Sequence, residues 1–202
     1  MKEASGLPNL HHALVCATMA WCFCGPVHAE SNNFAMRAVA SGDTRGLIFA
    51  VIDKTAATVS LYEPSGKLLA SSPVLVGRAI GDASVPGIGE RDMQRIAPHE
   101  RTTPAGRFAS EPGVNLSGEK IVWIDYEAAV SLHSLRPSGA LEKRPQRLAT
   151  VTPLDNRITY GCVNVPAAFY AQWVLPTFGQ KPGVIYVLPE TRPAKEWFAF
   201  LR

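Results

Sequence analysis

From Gly46 onward, the chain consists of short apolar runs of strand type, separated by turns that contain glycine and proline. The run "GLIFAVID" is apolar and rich in strand-forming residues, and "ATVSLYE" alternates its valine and leucine with serine and tyrosine. The turn sequence "PSG" at 64–66 joins these runs to "KLLASSPVLVGR", which predicts a β-meander. This pattern restricts the chain to a β-dominated domain.

The second half of the chain continues the strand pattern and adds two helices. After a long loop at 79–100, the runs "GRFAS", "EKIVWIDYE", "AVSLHSL" and "GVIYVLP" predict further strands. The segment "VPAAFYAQWVLPTF" predicts a short helix that begins near Pro166, and "PAKEWFAFLR" predicts a terminal helix. The expected fold class is therefore mainly β, as a single domain with a short helix after Cys162 and a C-terminal helix.

The N-terminus has the features of a secretory signal peptide. Lys2 precedes the apolar run "HALVCATMAWCFCGPVHA", and Val27 and Ala29 fit positions −3 and −1 of a cleavage site. The run is too short, and too interrupted by Gly25 and Pro26, to span a bilayer, which needs ~20 apolar residues. We therefore predict a periplasmic or secreted protein with no transmembrane anchor after cleavage. The predicted divisions are a signal peptide at 1–29, a short tether at 30–45 and one folded domain at 46–202.

Cleavage after Ala29 removes three of the four cysteines and three of the five histidines: Cys16, Cys22, Cys24, His11, His12 and His28. The exported chain keeps Cys162, His99 and His133, so an intramolecular disulfide and a cysteine-rich zinc site are excluded by ligand count. We predict no metal and no cofactor. The formal net charge of +3 does not change on cleavage, and so mild a charge predicts no nucleic acid partner.

Cys162, in "ITYGCVNVP", has two interpretations. A free cysteine is often a small buried core residue. Three features favour a nucleophile instead: Gly161 allows a close approach of the backbone, a predicted helix start follows, and this thiol is the one kept on export. None of these features decides the question alone.

His133 is the better candidate for a base. In "AVSLHSL", strand alternation places Val130 and Leu132 on one face and Ser131 and His133 on the other. His99 lies in the loop sequence "APHER" and is expected at the surface. A solvated strand histidine is the alternative, but an imidazole beside a cysteine can stabilise the thiolate and later protonate a leaving amine.

Three ordered motifs, "TTPAGRF", "SLHSL" and "TYGCVN", together resemble the catalytic domain of the L,D-transpeptidases, the YkuD-like peptidoglycan enzymes. The motif of that family is a histidine, then a spacer, then Ser/Thr-His-Gly-Cys-apolar-Asn/Arg. His133 falls at the first histidine, and the second part is matched by Thr159, Gly161, Cys162, Val163 and Asn164. The resemblance extends through 46–190. Tyr160 replaces the second histidine, and the long spacer predicts an inserted loop within 136–157 that forms a flap over the cleft.

The resemblance implies a β-sandwich-like fold and two-step acyl transfer on tetrapeptide stems of peptidoglycan. Cys162 would attack the bond between the L-centre and the D-amino acid, and His133 would act as base and then acid. A carbonyl of Ser134 or Leu135 would orient the imidazole, because a carbonyl can fix the tautomer as well as a carboxylate can. Backbone N–H groups around Tyr160, Gly161 and Cys162 would form the oxyanion hole.

The remaining motif residues have two interpretations each. Thr159 and Asn164 belong to the matched motif, but Asn164 could equally hold the turn of the cysteine loop. Arg157 could bind a substrate carboxylate or lie solvated at a strand entry. Tyr160 could line the cleft or pack internally.

Three functions remain open at this level. The first is L,D-transpeptidation, either cross-linking or D-amino-acid exchange. The second is hydrolysis of the same stems by an L,D-carboxypeptidase or amidase, in which water replaces the amine acceptor. The third is a non-catalytic cell-wall-binding module whose cysteine is merely buried. The expected partner is a peptidoglycan tetrapeptide stem, and the oligomeric state is not predicted.

Overall fold

The computed structural model describes residues 26–136 and 141–202. The predicted signal peptide lies outside these residues except for positions 26–29. Within the described ranges, eight strands form one sheet in the order β3-β2-β1-β10-β5-β6-β7-β9, and β4 pairs with β8. The strands are β1 (Phe49–Asp53), β2 (Thr58–Tyr62), β3 (Leu68–Pro73), β4 (Val76–Gly77), β5 (Gly106–Val114), β6 (Lys120–Asp125), β7 (Val130–Ser134), β8 (Arg157–Thr159), β9 (Val163–Val165) and β10 (Gly183–Val187). The predicted mainly β class is confirmed.

The sheet is mixed and curls until its two edges meet. β1 runs parallel to β10, β7 runs parallel to β9, and the other neighbours in the large sheet are antiparallel. Leu75, just after β3, exchanges two backbone hydrogen bonds of 2.9 Å with Asn164 on β9, at the opposite edge. The β-sandwich-like fold therefore takes the form of one nearly closed, barrel-like sheet.

The main core fills the inside of this curled sheet. Alternate residues of the strands point into it, among them Ile52, Leu61, Leu132 and Ile185, each fully buried. Burial of one such side chain contributes about 1.5–3 kcal/mol. The inward direction of Leu132 leaves its neighbours Ser131 and His133 on the outer face of β7, as strand alternation predicts.

β1 and β10, two neighbouring strands near the middle of the sheet, are buried on both faces, because helical segments cover the outside of the sheet there. Helix α1 (Pro26–Ala40) places Phe34, Ala35 and Ala38 against Phe49 and Tyr186 of β1 and β10. The C-terminal segment, with α5 (Ala194–Trp197) and a 3-10 turn, completes this second core. Residues 30–40, expected within a tether, therefore lie in a packed helix.

The helix predicted to begin near Pro166 is present, with Pro166 as its N-cap and Ala167 as its first residue. It consists of α3 (Ala167–Phe169), a π-helical stretch (Tyr170–Val174) and α4 (Leu175–Phe178). The short strand β9 lies between it and Cys162, and no strand was predicted there. A helix that was also not predicted, α2 (Arg144–Ala149), lies in the expected insertion, of which 137–140 are outside the described residues. In the part of the chain that the structure describes, no helix has the length and apolar character to cross a membrane.

Candidate active site

The parallel pairing of β7 with β9 brings the cysteine and histidine segments together. His133 pairs with Asn164 in the strand register, and Cys162 lies one residue before β9. The Cys162 Sγ lies 3.6 Å from Ser131 Oγ and 3.6 Å from the backbone oxygen of Ala129. Cys162 is partly exposed, which argues against the interpretation as a simple core cysteine.

Gly161 is held in a conformation that other residues rarely adopt. Its φ is +132°, and a Cβ at this position would lie 2.8 Å from the carbonyl oxygen of Thr102. Thr103, from the "TTPAGRF" motif, donates its hydroxyl to the Gly161 carbonyl at 2.7 Å and accepts the Gly77 N–H at 2.9 Å. The two motifs that lie far apart in sequence therefore meet at the backbone directly before Cys162.

Thr159 closes the cysteine loop from the other side. Its hydroxyl donates to the Cys162 carbonyl at 2.6 Å and accepts the Gly161 N–H at 3.1 Å. The Gly161 N–H, expected in an oxyanion hole, is therefore already engaged. The N–H groups of Tyr160 and Cys162 remain as the candidates of the predicted set.

His133 makes a hydrogen bond from each ring nitrogen. Nδ1 lies 2.8 Å from the Ser134 carbonyl oxygen, the first of the two orienting carbonyls expected. Nε2 lies 3.0 Å from the amide nitrogen of Asn164, whose Oδ1 accepts a hydrogen bond of 2.8 Å from Arg144. Asn164 is 1 % exposed and belongs to β9, so it contacts the imidazole and does not hold a turn.

The pKa of His133 lies below its ordinary value. Burial is the main cause, and the positive charges of Arg136 and Arg144 act in the same direction. The hydrogen bond to the Ser134 carbonyl and the charge of Glu119 oppose the shift without cancelling it. The imidazole is therefore neutral near neutral pH, as a general base must be.

The hydrogen bonds of the thiol and the imidazole show the resting arrangement. Sγ contacts Ser131 and Ala129, whereas Nε2 contacts Asn164. Transfer of the thiol proton to Nε2 therefore requires the Asn164 amide to move from the nitrogen.

Tyr160, the departure from the family motif, packs against a cation. The guanidinium carbon of Arg101 lies 3.7 Å from the centre of the Tyr160 ring, and the same guanidinium donates twice to the Ile96 carbonyl, at 3.0 and 3.2 Å. A cation–π contact of this kind stabilises by about 0.5–1 kcal/mol when partly exposed. Tyr160 thus links the cysteine loop to the loop at 79–100.

Arg157 is paired with an acidic residue of the protein itself. It forms an ion pair with Glu190, and its side chain is 12 % exposed. Glu190 also lies 3.4 Å from Lys54, which pairs with Asp82 at 2.9 Å and donates to the Thr103 carbonyl at 3.0 Å. The predicted contact with a substrate carboxylate is replaced by a buried ion network that supports the Thr103 segment.

A cleft of about 750 Å³ adjoins the surroundings of the thiol through Ala129, although neither Cys162 nor His133 lines it. Its wall includes Ala129, whose carbonyl contacts Sγ, and the aromatic pair Trp123 and Tyr126, with ring centres 5.1 Å apart. Leu116 and Tyr126 are largely exposed, and Glu90 and Glu127 add negative charge. The cleft therefore offers an apolar surface with acidic groups, and it meets the surroundings of Cys162 at Ala129.

Several residues of the site were missed in the sequence. Arg144, Arg101 and Ser131 contact Asn164, Tyr160 and Cys162 from segments with no local motif for such contacts. Ser131 had a signal, because strand alternation placed it on the His133 face. His99 is exposed in its loop, as expected.

No protein-family model and no curated protein matches the chain. Among solved structures, it is similar to an L,D-transpeptidase from Mycobacterium smegmatis, with 21 % identity, a TM-score of 0.38, and coverage of 69 % of this chain and 58 % of that one. It is also similar to the catalytic domain of the Enterococcus faecium L,D-transpeptidase, with 16 % identity, a TM-score of 0.40, and coverage of 70 % and 96 %. The helical cell shape determining protein from Campylobacter jejuni is similar over 80 % of this chain and 56 % of that one, with 13 % identity and a TM-score of 0.47. The chain thus spans little more than half the length of two of these proteins.

Proposed function

We propose that the chain is an exported cysteine acyltransferase that acts on peptidoglycan stem peptides by L,D-transpeptidation. The observation that carries the proposal is a partly exposed Cys162 one residue before β9, the strand whose Asn164 contacts a neutral His133 on the paired strand. The order of the motifs around these residues, which resembles the L,D-transpeptidase pattern, supports peptidoglycan stem peptides as the substrate class. The cleft that reaches Ala129, a residue in contact with Sγ, is the candidate binding surface for the peptide.

In the first half-reaction, Sγ attacks the carbonyl carbon of the bond between the L-centre and the terminal D-alanine. The thiol proton passes to His133 Nε2, which then protonates the amine of the departing D-alanine. A thioester to Cys162 remains. In the second half-reaction, an acceptor amine attacks the thioester, His133 takes its proton, and the thiol is restored.

Two features of the backbone would stabilise the charges that develop in these steps, on the imidazolium and on the oxyanion. The Ser134 carbonyl accepts the Nδ1–H of His133 at 2.8 Å, so it stabilises the imidazolium that forms transiently. The N–H groups of Tyr160 and Cys162 are the proposed oxyanion donors, and one such donor is typically worth ~3 kcal/mol of barrier.

The direct test is incubation of the purified protein with tetrapeptide-bearing muropeptides, with product masses measured. We expect release of D-alanine and formation of cross-linked dimers, or exchange with an added D-amino acid. Cys162→Ala and His133→Gln should abolish both products, whereas His99→Gln, a matched change at the exposed histidine, should not. If no product forms and Cys162→Ala makes no difference, the proposal fails.

The same assay separates the hydrolytic alternative, because tripeptides without dimers or exchange products would identify a carboxypeptidase or amidase. The non-catalytic alternative is favoured by one observation, namely that Asn164 and not Cys162 occupies His133 Nε2. An unreactive thiol during alkylation of the folded protein, up to alkaline pH, would support that alternative.

A further inference from the structure

The side chains of Arg144, Asn164 and His133 form a hydrogen-bonded chain with a single direction. Arg144 can only donate, so the atom of the Asn164 amide that faces it must be the oxygen. The amide nitrogen of Asn164 then faces His133 Nε2 at 3.0 Å. Because the amide N–H donates, Nε2 must accept this hydrogen bond and carries no proton. The proton of the neutral imidazole is therefore on Nδ1, where the Ser134 carbonyl receives it.

Arg144 is fixed in this position by the segment that carries it. Its Nε donates to Glu142 at 2.6 Å, and its side chain is 18 % exposed. Arg147, one helical turn further along α2, donates to the carbonyls of Glu142 and Asp155 at 2.9 and 3.0 Å. The segment between β7 and β8 therefore delivers a cation to a side chain that is itself buried beside the candidate base.

We propose that Arg144 is a positioning residue that fixes the Asn164 amide and so holds His133 as a neutral imidazole with its proton on Nδ1. The inference rests on the proposed role of His133 as the base. A doubly protonated ring would direct an Nε2–H against the N–H of Asn164, which excludes the imidazolium from the resting site. Arg144 thereby sets the protonation state from which the reaction starts.

Charged and titratable groups from several elements surround His133. Their influence on its pKa must be distinguished from the effect of Arg144 on the orientation of Asn164. They are Glu119 just before β6, Lys120 at its start, Arg136 after β7 and Arg144 on α2. Glu119 and Arg136 form an ion pair of 2.6 Å, so their charges largely offset each other. Arg144 differs from the other cations because it also orients the amide that contacts the ring.

The test is a pH titration of His133 by nitrogen NMR in the purified protein, with its signals assigned from His133→Gln. In the unchanged protein, we expect a neutral ring with the proton on Nδ1 and a pKa below the ordinary value. Arg144→Met frees the amide to turn its oxygen to Nε2, so the proton affinity of His133 should rise about tenfold, the effect of one net hydrogen bond. Lys143→Met removes an exposed cation from the adjacent position and should leave the titration unchanged.

Asn164→Asp provides a second, nearly isosteric test that does not depend on the folding of Arg144→Met. Its carboxylate can accept from both Arg144 and Nε2–H, so the pKa of His133 should move upward past that of the unchanged protein. The inference is overturned if Arg144→Met, folded by its NMR spectrum, titrates like the unchanged protein, or if Lys143→Met shifts the titration equally. It is also overturned if Asn164→Asp has no upward shift. No substrate is needed, so these results are independent of the muropeptide assay that tests the proposed function.

Discussion

Replacement of Gly161 by alanine tests whether the backbone before Cys162 is as constrained as the structure shows. The φ of +132° is unfavourable for any residue with a Cβ, and the added carbon would lie 2.8 Å from the Thr102 carbonyl oxygen and 3.3 Å from a methyl group of Val130. The Thr102 oxygen belongs to backbone that is tied down by the neighbouring Thr103. The clash is therefore not relieved by rotation of a side chain.

Backbone strain and the steric clash together give the expected loss in the free energy of unfolding. A strained backbone conformation costs about 1–3 kcal/mol, and forcing an extra carbon into a packed site costs about 1–3 kcal/mol more. Gly161→Ala should thus lower the free energy of unfolding by roughly 2–6 kcal/mol if the loop keeps its place. If the loop moves instead, the hydrogen bond from Thr103 to the Gly161 carbonyl is lost and Cys162 shifts with it.

Gly118→Ala is the matched control, because Gly118 also has a positive φ, of +80°, but an added Cβ there has no atom within 4 Å. Its cost should be only the conformational one, about 1–2 kcal/mol. Urea unfolding of both variants gives the two free energies, and the alkylation rate of Cys162 in the folded state reports displacement of the loop. The reasoning is refuted if both variants lose equal stability and the thiol of Gly161→Ala reacts as before.

Three further predictions concern the groups that support the site. Thr103→Val leaves a buried N–H and a buried carbonyl without their partner, so urea unfolding should show a loss of about 2–5 kcal/mol, whereas a Thr-to-Val change on the exposed surface should have little effect. Lys54→Met leaves two buried carboxylates without this cation and should cost about 3–5 kcal/mol by the same measurement; an unchanged stability would contradict the ion network. His133→Gln should remove a pH dependence of the free energy of unfolding. As the pH falls below 6.5, the ordinary pKa of histidine, the unfolded chain binds a proton at His133 that the folded site resists. Urea unfolding at several pH values should therefore show a loss of stability in this range for the unchanged protein that the variant does not show. Parallel curves for the two proteins below pH 6.5 would show that burial does not depress the pKa of His133.

The sequence predicted most strands because their signal is local. The apolar runs that became β1, β2, β6, β7 and β10 carry their own period and turn residues. β9 was missed because three residues are too few for a period, and it is defined by pairing with β7. The packed helix α1 could have been anticipated from the continuous apolar runs of the two central strands, since both faces of such strands must be covered.

The candidate site was only partly predictable for a related reason. Cys162 and His133 lie in recognisable local contexts, and strand alternation gave the face of His133. The partner of Arg157 was not foreseeable, because Glu190 is brought to it by the sheet and not by any sequence spacing. Arg144 was hidden in the same way, since the polar segment that carries it has no motif directed at Asn164.

The two halves of the site differ in how firmly they are held, and under the proposed function this difference predicts where an adjustment for catalysis would take place. The Cys162 half is fixed by buried bonds to the backbone, from Thr103 to Gly161 and from Lys54 to Thr103 in turn. The His133 half depends on contacts between side chains, and Arg144, the last of them, comes from a short and partly exposed helix. Segments with few buried contacts open at lower free energy than a core strand. In the proposed reaction, Nε2 reaches Sγ only after the Asn164 side chain leaves the imidazole, and we expect this release at the α2 side, while the cysteine loop stays in place.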